Sequence, residues 1–209
     1  MDTYPPALSR PAVRMGNAAP EFHARSTKGN IALSDYRGKW LIFFSHPADF
    51  TPVCTTEFIA LAKAAPAFEA RQCALLGLSV DSLYAHHAWL RAIQTEFGVA
   101  ITFPVIEDPS MAIGRAYGMI DEAAEDSTAV RATYFIDPDG IVRATTTYPH
   151  TVGRSVTEML RTLAALQRVD EGNAVTPEGW QPGDPVLAPL PDTIDDDDPK
   201  WFCRPAASP

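Results

Sequence analysis

Apolar and polar residues alternate along the chain in a pattern that predicts buried strands separated by amphipathic helices. Trp40–Ser45 is a short apolar run, as expected of a strand that is buried on both faces. Thr55–Ala70 carries apolar residues at helical spacing, and Ala74–Val80 is the next apolar run. The first part of the chain therefore predicts a strand, a helix and a second strand, in this order.

The pattern continues with further helices and strands. Leu83–Phe97 has helical periodicity and is closed by Gly98, a residue type that favours the left-handed conformation after a helix. Asp137–Gly140 (DPDG) is a turn sequence and predicts a hairpin. The remaining predicted elements are a strand at Thr102–Ile106, a short helix at Ser110–Tyr117, strands at Thr133–Ile136 and Ile141–Tyr148, and an amphipathic helix at Ser155–Arg168. This order predicts an α/β fold, a thioredoxin-like sandwich with a central mixed sheet flanked by helices.

The composition changes after residue 169. From Asp170 onwards the chain holds eight of its 19 prolines, an acidic run at Asp195–Asp198 and little periodicity. Such a segment cannot form a hydrophobic core of its own. It still contains large apolar residues, which would pack on the main domain or on a second subunit. We therefore expect a main domain over residues 1–169 and a Pro-rich C-terminal extension over residues 170–209.

Composition also excludes several classes of function. The net charge of −9 argues against a surface for nucleic acid or anionic membranes, which would need clustered Lys and Arg. No apolar run approaches the roughly 20 residues that span a bilayer, and the first residues show no apolar core of a secretory signal. We therefore expect a cytoplasmic protein that binds neither nucleic acid nor a membrane.

The chain contains three cysteines, Cys54, Cys73 and Cys203, and no CxxC pair. An odd, small number without a secretory segment indicates reduced thiols rather than a disulfide scaffold. The absence of a CxxC pair argues against a zinc ribbon and against a thioredoxin-type dithiol. Cys73 stands at the start of a predicted buried strand and is interpreted as a core residue.

The segment SHPADFTPVCTTE lies between a predicted strand and a predicted helix, so Cys54 falls in the first turn of that helix. An ordinary thiol, with a pKa of about 8.5, is mostly protonated at neutral pH. Unpaired backbone N–H groups and the positive end of the helix dipole stabilise a thiolate at this position. Thr51 can point its hydroxyl at the sulfur or at a bound oxygen, while Pro47 and Pro52 stiffen the loop and shield the sulfur from water.

This segment resembles the peroxiredoxin active-site signature P-x-x-x-T-x-x-C, and the whole run is similar to the one-Cys-type subfamily, which includes mammalian type-six enzymes. Similar segments are RATYFID, VDSLYAHHAWL, TFPVIEDPSMAIGRAYGM and TPEGWQPGDPV, so the resemblance covers about residues 15–205. The resemblance implies a thiol-dependent peroxidase that reduces hydrogen peroxide and organic hydroperoxides through a cysteine sulfenic acid, in antioxidant defence and redox homeostasis. It implies that neither a cofactor nor a metal is needed.

The resemblance also implies a role for individual residues. Cys54 would be the peroxidatic thiolate, Thr51 would hydrogen-bond the peroxide, and Pro47 would limit solvent access. Arg131 would hold thiolate and peroxide together, and Glu57 would orient an arginine. Such preplaced donors would stabilise the charge that moves from sulfur to the leaving oxygen.

The sequence leaves two possible roles for His46 and two for Cys203. His46 either supports the site, as the matching histidine near the oxidised sulfur of archaeal relatives does, or is packed in the core. His86 and His87 point about 100° apart on one helix, which argues against joint metal ligation and directs at least one of them to solvent. Cys203 resembles an archaeal tail cysteine that forms a disulfide with the partner subunit's peroxidatic cysteine. The further tail cysteine of those members is absent here, so Cys203 is either resolving or structural.

The same resemblance implies the partners of the protein, and two other functions remain as alternatives. The resemblance implies an external thiol reductant (thioredoxin-like, glutaredoxin/glutathione or another small thiol) and a homodimer, which larger rings can include. Phospholipase activity, described for mammalian members, is not predicted because Tyr36–Trp40 lacks the serine of a G-x-S-x-G segment. A holdase or binding protein with an unreactive Cys54 remains an alternative. A cysteine hydrolase is another, although no Asp or Asn is evidently placed to orient His46.

Overall fold

The computed structural model describes residues 13–120, 128–193 and 200–206. The described residues fall into two units, one ending at Arg154 and the other beginning at Ser155. The acidic run at Asp195–Asp198 lies outside the described residues, and the domain boundary at residue 169 stays a prediction. None of the described helices is long and apolar enough to cross a membrane.

The first unit contains a seven-stranded sheet. Its strands are β1 (His23–Ser26), β2 (Gly29–Ala32), β3 (Trp40–Ser45), β4 (Cys73–Ser79), β5 (Val105–Glu107), β6 (Arg131–Ile136) and β7 (Val142–Tyr148). The order across the sheet is β2-β1-β5-β4-β3-β6-β7. β3 pairs in parallel with β4 and antiparallel with β6, and β4 pairs in parallel with β5. The prediction of an α/β fold with a central mixed sheet is confirmed.

The helices of the first unit are α1 (Pro52–Glu69), α2 (Leu83–Phe97) and α3 (Ala112–Ala116). α2 has the predicted bounds: the hydroxyl of Ser82 caps its start, and Gly98 ends it at φ 68°. α1 begins three residues before its predicted start because Pro52 occupies the first helical position. The missing N–H of proline costs nothing there, since that group would have no partner inside the helix.

Strands β1 and β2 were not predicted from the sequence. Each has four residues, of which only the last is buried, so the apolar pattern that predicted the other strands is absent. The hairpin is closed by Ser26, whose hydroxyl donates to the carbonyl of Gly29 over 2.8 Å. Gly29 has a φ of 101°, a conformation that residues other than glycine rarely adopt. The turn chemistry, rather than an apolar pattern, defines this edge of the sheet.

An aromatic cluster packs the first turns of α1 onto β3. The ring of Phe44, on β3, lies 5.7 Å from the ring of Phe58 and 5.8 Å from that of Phe103. Phe58 and Phe44 are completely buried, and burying a side chain of this size contributes about 1.5–3 kcal/mol. Because Phe58 follows Cys54 by one helical turn, this packing also holds the position of Cys54.

The second unit begins with α4 (Val156–Asp170), whose first turn is capped by the hydroxyl of Ser155. The chain after α4 forms isolated bridges in which Leu187 pairs with both Val175 and Pro205. Trp180 is buried, and its indole N–H donates to the carbonyl of Asp184 over 3.0 Å. Over residues 171–193 and 200–206, which the structure describes, the segment is therefore organised by turns and single bridges rather than by regular elements.

Candidate active site

Cys54 is the third residue of α1 and is completely buried. Thr51 precedes the helix in an extended conformation, so that the backbone turns into the helix just before the sulfur. The first N–H groups of a helix lack partners within it and carry a partial positive charge. The structure thus places Cys54 in the first helical turn, as predicted.

Arg131, the first residue of β6, reaches the sulfur from the neighbouring strand. Its Nη1 donates to the Sγ of Cys54 over 3.3 Å and to Oε2 of Glu57 over 2.7 Å. Its Nε and Nη2 both donate to the carbonyl of His150, over 3.0 and 2.7 Å. Arg131 is 2% exposed, so it is a buried, fixed donor and not a surface ion-pairing residue.

Glu57 lies one turn after Cys54 and joins Arg131 to a second arginine, Arg154. Its Oε1 accepts from the backbone N–H and Nε of Arg154 over 2.7 and 2.9 Å, and its Oε2 accepts from Nη2 over 2.8 Å. Burial opposes ionisation of Glu57, but the hydrogen bonds and charge of Arg154, with the charge of Arg131, outweigh it. The pKa of Glu57 therefore lies below its ordinary value of 4.5.

Arg154 was missed by the sequence interpretation. It precedes the capping residue of α4 in a segment without periodicity, and it is 97 positions from Glu57. Its Nη1 also donates to the carbonyl of Ala132 over 2.9 Å, and its guanidinium lies 5.2 Å from the centre of the Phe44 ring. The sequence around Arg154 shows only that an arginine precedes a helix cap. This position gives no indication of a contact with Glu57.

Thr51 directs its hydroxyl hydrogen away from the sulfur. Its Oγ1 donates to the carbonyl of Ala48 over 2.8 Å, which leaves the hydroxyl oxygen as an acceptor. Of the two orientations expected from the sequence, towards the sulfur or towards a bound oxygen, the first is not observed, and the hydroxyl oxygen stays available as an acceptor. Pro47 is half-buried in the same loop.

Behind this loop lies a buried cluster of His46, Asp49 and His86. Asp49 places Oδ1 2.8 Å from Nε2 of His46 and Oδ2 2.7 Å from Nδ1 of His86. Burial lowers the pKa of His46 below its ordinary value of 6.5, although Asp49 acts in the opposite direction. For Asp49, burial acts to raise the pKa, but the hydrogen bonds and charges of both imidazoles lower it below 3.8.

The structure corrects the expectation about a carboxylate partner of His46 and agrees with the expected exposure of His86 and His87. The expectation that no Asp is placed to orient His46 is wrong, because the loop after β3 turns Asp49 back onto it. His46 Nδ1 has no hydrogen-bond partner in the described part of the chain and Nε2 faces Asp49, so neither nitrogen bonds Cys54. A hydrolase-type Cys–His dyad is therefore not formed. His86 is buried and His87 is exposed, as the helical spacing predicted.

The other two cysteines have opposite environments. Cys73 is buried at the start of β4, in agreement with its interpretation as a core residue, and burial raises the pKa of its thiol to about 12. Cys203 is exposed, and all three cysteines are free thiols. Cys73 is thus a buried thiol that stays protonated at neutral pH, whereas Cys203 is exposed.

Comparison with known proteins relates the chain to a known family. Residues 15–145 match the AhpC/TSA family, and residues 165–197 match the C-terminal domain of 1-Cys peroxiredoxin. A peroxiredoxin 2 of Caldanaerobacter subterraneus subsp. tengcongensis is 49% identical over 180 residues, covering 86% of this chain and 81% of the relative. A peroxiredoxin 2 of Thermoplasma acidophilum is 46% identical over 181 residues, covering 87% and 90%.

Solved structures show the same similarity. A yeast mitochondrial 1-Cys peroxiredoxin superposes with a TM-score of 0.80 at 40% identity, covering 85% of this chain and 87% of that chain. A mutant of peroxiredoxin 6 from Arenicola marina also has a TM-score of 0.80, at 31% identity, covering 90% and 88%. These neighbours confirm the predicted thioredoxin-like fold.

Proposed function

The chain belongs to the AhpC/TSA family of peroxiredoxins and is a thiol-dependent peroxidase, and we propose that Cys54, Arg131 and Thr51 carry out its reaction. The contact that supports this assignment best is the 3.3 Å hydrogen bond from Nη1 of Arg131 to the Sγ of Cys54. A guanidinium is always charged and presents its donors in a rigid plane. Its charge therefore lies directly against the reacting sulfur, and its donor fixes the direction from which the sulfur is contacted.

In the proposed reaction the thiolate of Cys54 attacks the terminal oxygen of R–O–O–H in line with the O–O bond. The S–O bond forms and the O–O bond breaks, which gives Cys–SOH. The electron pair of the broken bond moves to the leaving oxygen, which takes up a proton and departs as an alcohol or water. Thr51 accepts the hydrogen bond of the peroxide O–H, and Arg131 stabilises the charge that develops on oxygen.

Glu57, Arg154 and Pro47 have supporting roles in this proposal. Glu57 accepts from both arginines, and Arg131 is further held by the His150 carbonyl. An arginine bound at Nε and at both terminal nitrogens cannot rotate freely, so its charge need not reorganise during the reaction. Pro47 lacks a backbone donor and restricts the loop, which limits the access of water.

Turnover requires an external thiol that reduces the sulfenic acid. The yeast mitochondrial 1-Cys peroxiredoxin resolves its thiol via glutathione/thioredoxin systems. For this chain we propose a reductant of the same kind, thioredoxin-like, glutaredoxin/glutathione or another small thiol. The free state of the three cysteines suits a reducing compartment, and we propose the cytoplasm.

A homodimer, which larger rings can include, completes the proposal. Residues 1–169 would form the peroxidase domain and residues 170–209 the dimerisation arm. Two observations support this division: Leu190 and Phe202 of the second unit are 67% and 64% exposed, and residues 165–197 match the C-terminal domain of 1-Cys peroxiredoxin. Large apolar side chains at such exposure indicate a surface that another subunit covers.

Peroxide consumption by the purified, pre-reduced protein tests the function directly. Hydrogen peroxide and cumene hydroperoxide should each be consumed in the presence of a thiol, and thioredoxin and glutathione/glutaredoxin should be compared as donors. Consumption that stops after one equivalent per chain with every donor would contradict the proposed class of reductant. No consumption at all would contradict the peroxidase assignment.

A further inference from the structure

The buried cluster of His46, Asp49 and His86 is not used by the reaction described above, yet it connects three elements around the active-site loop. His46 directly follows β3, Asp49 lies in the loop before α1, and His86 lies on α2. The side chains of both histidines are completely buried, and that of Asp49 is 2% exposed. Ionisable groups at this depth need a specific arrangement of protons to be stable.

The partners of His86 determine its protonation state. Its Nε2 lies 3.1 Å from the carbonyl of Ile106, and a carbonyl only accepts, so Nε2 carries a hydrogen. Its Nδ1 lies 2.7 Å from the carboxylate of Asp49, which when ionised also only accepts. The low pKa of Asp49 supports the ionised form. With an ionised Asp49, the two acceptors fit a His86 that carries a hydrogen on both nitrogens, as an imidazolium ion does.

The same reasoning makes His46 neutral. Its Nε2 donates to the second oxygen of Asp49 over 2.8 Å. Its Nδ1, unpartnered among the described residues, then holds a lone pair, and a buried acceptor without a partner costs less than a buried N–H without one. In this arrangement of hydrogens the cluster contains one positive charge on His86 and one negative charge on Asp49, with no net charge.

The spacing within the cluster favours shared protons over a bound metal ion. The three donor atoms lie within 4.8 Å of one another, which is compatible with a metal site at first sight. Two ligands of a tetrahedral zinc ion, each about 2.0–2.1 Å from it, would however lie roughly 3.3 Å apart. The nitrogen–oxygen distances of 2.7 and 2.8 Å are those of charge-assisted hydrogen bonds.

The cluster also supports the first turn of α1. The ring of His46 stacks on Trp89 at 5.3 Å and packs edge-on against Phe58 at 4.8 Å. Phe58 follows Cys54 by one helical turn, and the indole N–H of Trp89 donates to the hydroxyl of Thr55 over 3.3 Å. A displacement of His46 would therefore disturb the contacts of Thr55 and Phe58, which follow Cys54 within one helical turn.

We propose that His86 is a positioning residue of the peroxidase, a buried imidazolium that acts through Asp49 to hold the active-site loop in its reactive geometry. His86 contacts neither sulfur nor peroxide. Removing its charge would leave the Asp49 carboxylate buried without a counter-ion, which is strongly unfavourable. The loop could then lower its free energy by moving Asp49 towards water. The kinetic part of this inference rests on the proposed function, whereas the protonation state does not.

The kinetic experiment uses three variants of the full chain. His86→Phe keeps an aromatic ring and loses both donors, His86→Asn retains a donor near the position of Nδ1 without the charge, and His87→Gln is the matched control on the exposed side of α2. The second-order rate constant for oxidation of the cysteine by hydrogen peroxide should fall roughly tenfold to a hundredfold in His86→Phe. The fall should be smaller in His86→Asn and absent in His87→Gln, with an unchanged KM for the reducing thiol.

Nitrogen-15 spectra of the imidazole rings at neutral pH test the protonation state independently of activity. Both nitrogens of His86 should have shifts of protonated nitrogen, while His46 should show one protonated and one bare nitrogen; the five histidines of the chain can be assigned by substitution. A neutral His86 overturns the proposal, and so does a rate in folded His86→Phe within about twofold of wild type. If His86→Phe does not fold, an unchanged rate in His86→Asn overturns it. Should the wild type consume no peroxide, the proposed function fails, and the spectra still decide whether His86 is an imidazolium.

Discussion

Nη1 of Arg131 lies 3.3 Å from the Sγ of Cys54, although the two residues are 77 positions apart. The contact exists because β6 runs antiparallel beside β3, which brings the first residue of β6 next to the loop that leaves β3. The guanidinium is already held by Glu57 and the His150 carbonyl. The donors are therefore in place before a peroxide binds. Such preorganised donors lower the activation barrier of the oxidation because they need not reorganise during the reaction.

Cys54→Ser should abolish peroxidase turnover and leave the fold intact, because a hydroxyl is not ionised at neutral pH and cannot replace the thiolate. Peroxide consumption and circular dichroism measure the two parts of this prediction. Cys73→Ala is the matched control, since Cys73 is buried in β4 away from the helix start, and its turnover should be that of wild type. Residual activity of Cys54→Ser within tenfold of wild type would remove Cys54 from the mechanism.

Arg131→Ala should slow oxidation of Cys54 by about a hundredfold to a thousandfold, the usual effect of removing one preorganised donor. Arg131→Lys should recover only part of the rate, because an ammonium cannot reproduce the planar set of donors. Stopped-flow measurement of the first oxidation step isolates this effect from reduction. Arg143→Ala on β7, whose guanidinium bonds Asp137, serves as a control with an expected rate near that of wild type. A fast peroxide step in Arg131→Ala would show that this arginine does not act on the reaction.

Glu57→Gln should destabilise the protein and flatten its response to acid. Because the pKa of Glu57 is lowered by folding from its ordinary value of 4.5, its carboxylate contributes stability that is fully present above that ordinary value. This stability is lost as the pH falls through the lower folded pKa. At neutral pH the substitution removes the counter-charge of two buried arginines, which costs about 3–5 kcal/mol. Urea unfolding at neutral pH measures this loss.

The same unfolding experiment in acid provides the internal check. The difference between wild type and Glu57→Gln should shrink as the pH falls below the folded pKa of Glu57. Glu158→Gln is the control: its side chain is 48% exposed and pairs with Arg161 on the helix surface, so the cost should stay below about 1 kcal/mol. Equal stability of wild type and Glu57→Gln at neutral pH would contradict the proposed role of this carboxylate.

One equivalent of peroxide should convert the wild type into a covalent dimer on a non-reducing gel, and Cys203→Ser should not form it. Cys203 is exposed whereas Cys54 is completely buried, and a disulfide needs Cα atoms roughly 4.4–6.8 Å apart. The start of α1 would therefore have to open for the two sulfurs to meet. Monomer on the gel together with a trappable sulfenic acid would instead establish a one-Cys mechanism and a structural Cys203.

Light scattering at micromolar concentration should give at least twice the mass of one chain. Exposed Leu190 and Phe202 are the apolar side chains that a partner subunit would cover. Substituting both with serine should shift the equilibrium towards monomer, whereas Phe97→Ser, at an exposed apolar residue of the first unit, should leave the mass unchanged. A wild-type monomer would contradict the proposed dimer.

The sequence by itself determined the elements that depend on neighbouring residues. β3 and α2 have the predicted bounds, and Cys54 lies in the first turn of its helix, because periodicity, Ser82, Gly98 and the proline at the start of α1 act within a few positions. The resemblance to peroxiredoxins added Arg131 and Glu57, which the apolar pattern alone could not have connected to the sulfur.

The tertiary structure alone decided which polar groups meet. Arg154 lies 97 positions from Glu57, and His86 lies 37 positions from Asp49. Neither contact can therefore be recognised from neighbouring residues in the sequence. Such contacts depend on the order and register of strands, and a shift of one residue would turn every side chain of a strand to the opposite face. The chemistry of Cys54 is thus indicated by a short segment, whereas the charges that hold it in place come from segments that only the packed sheet brings together.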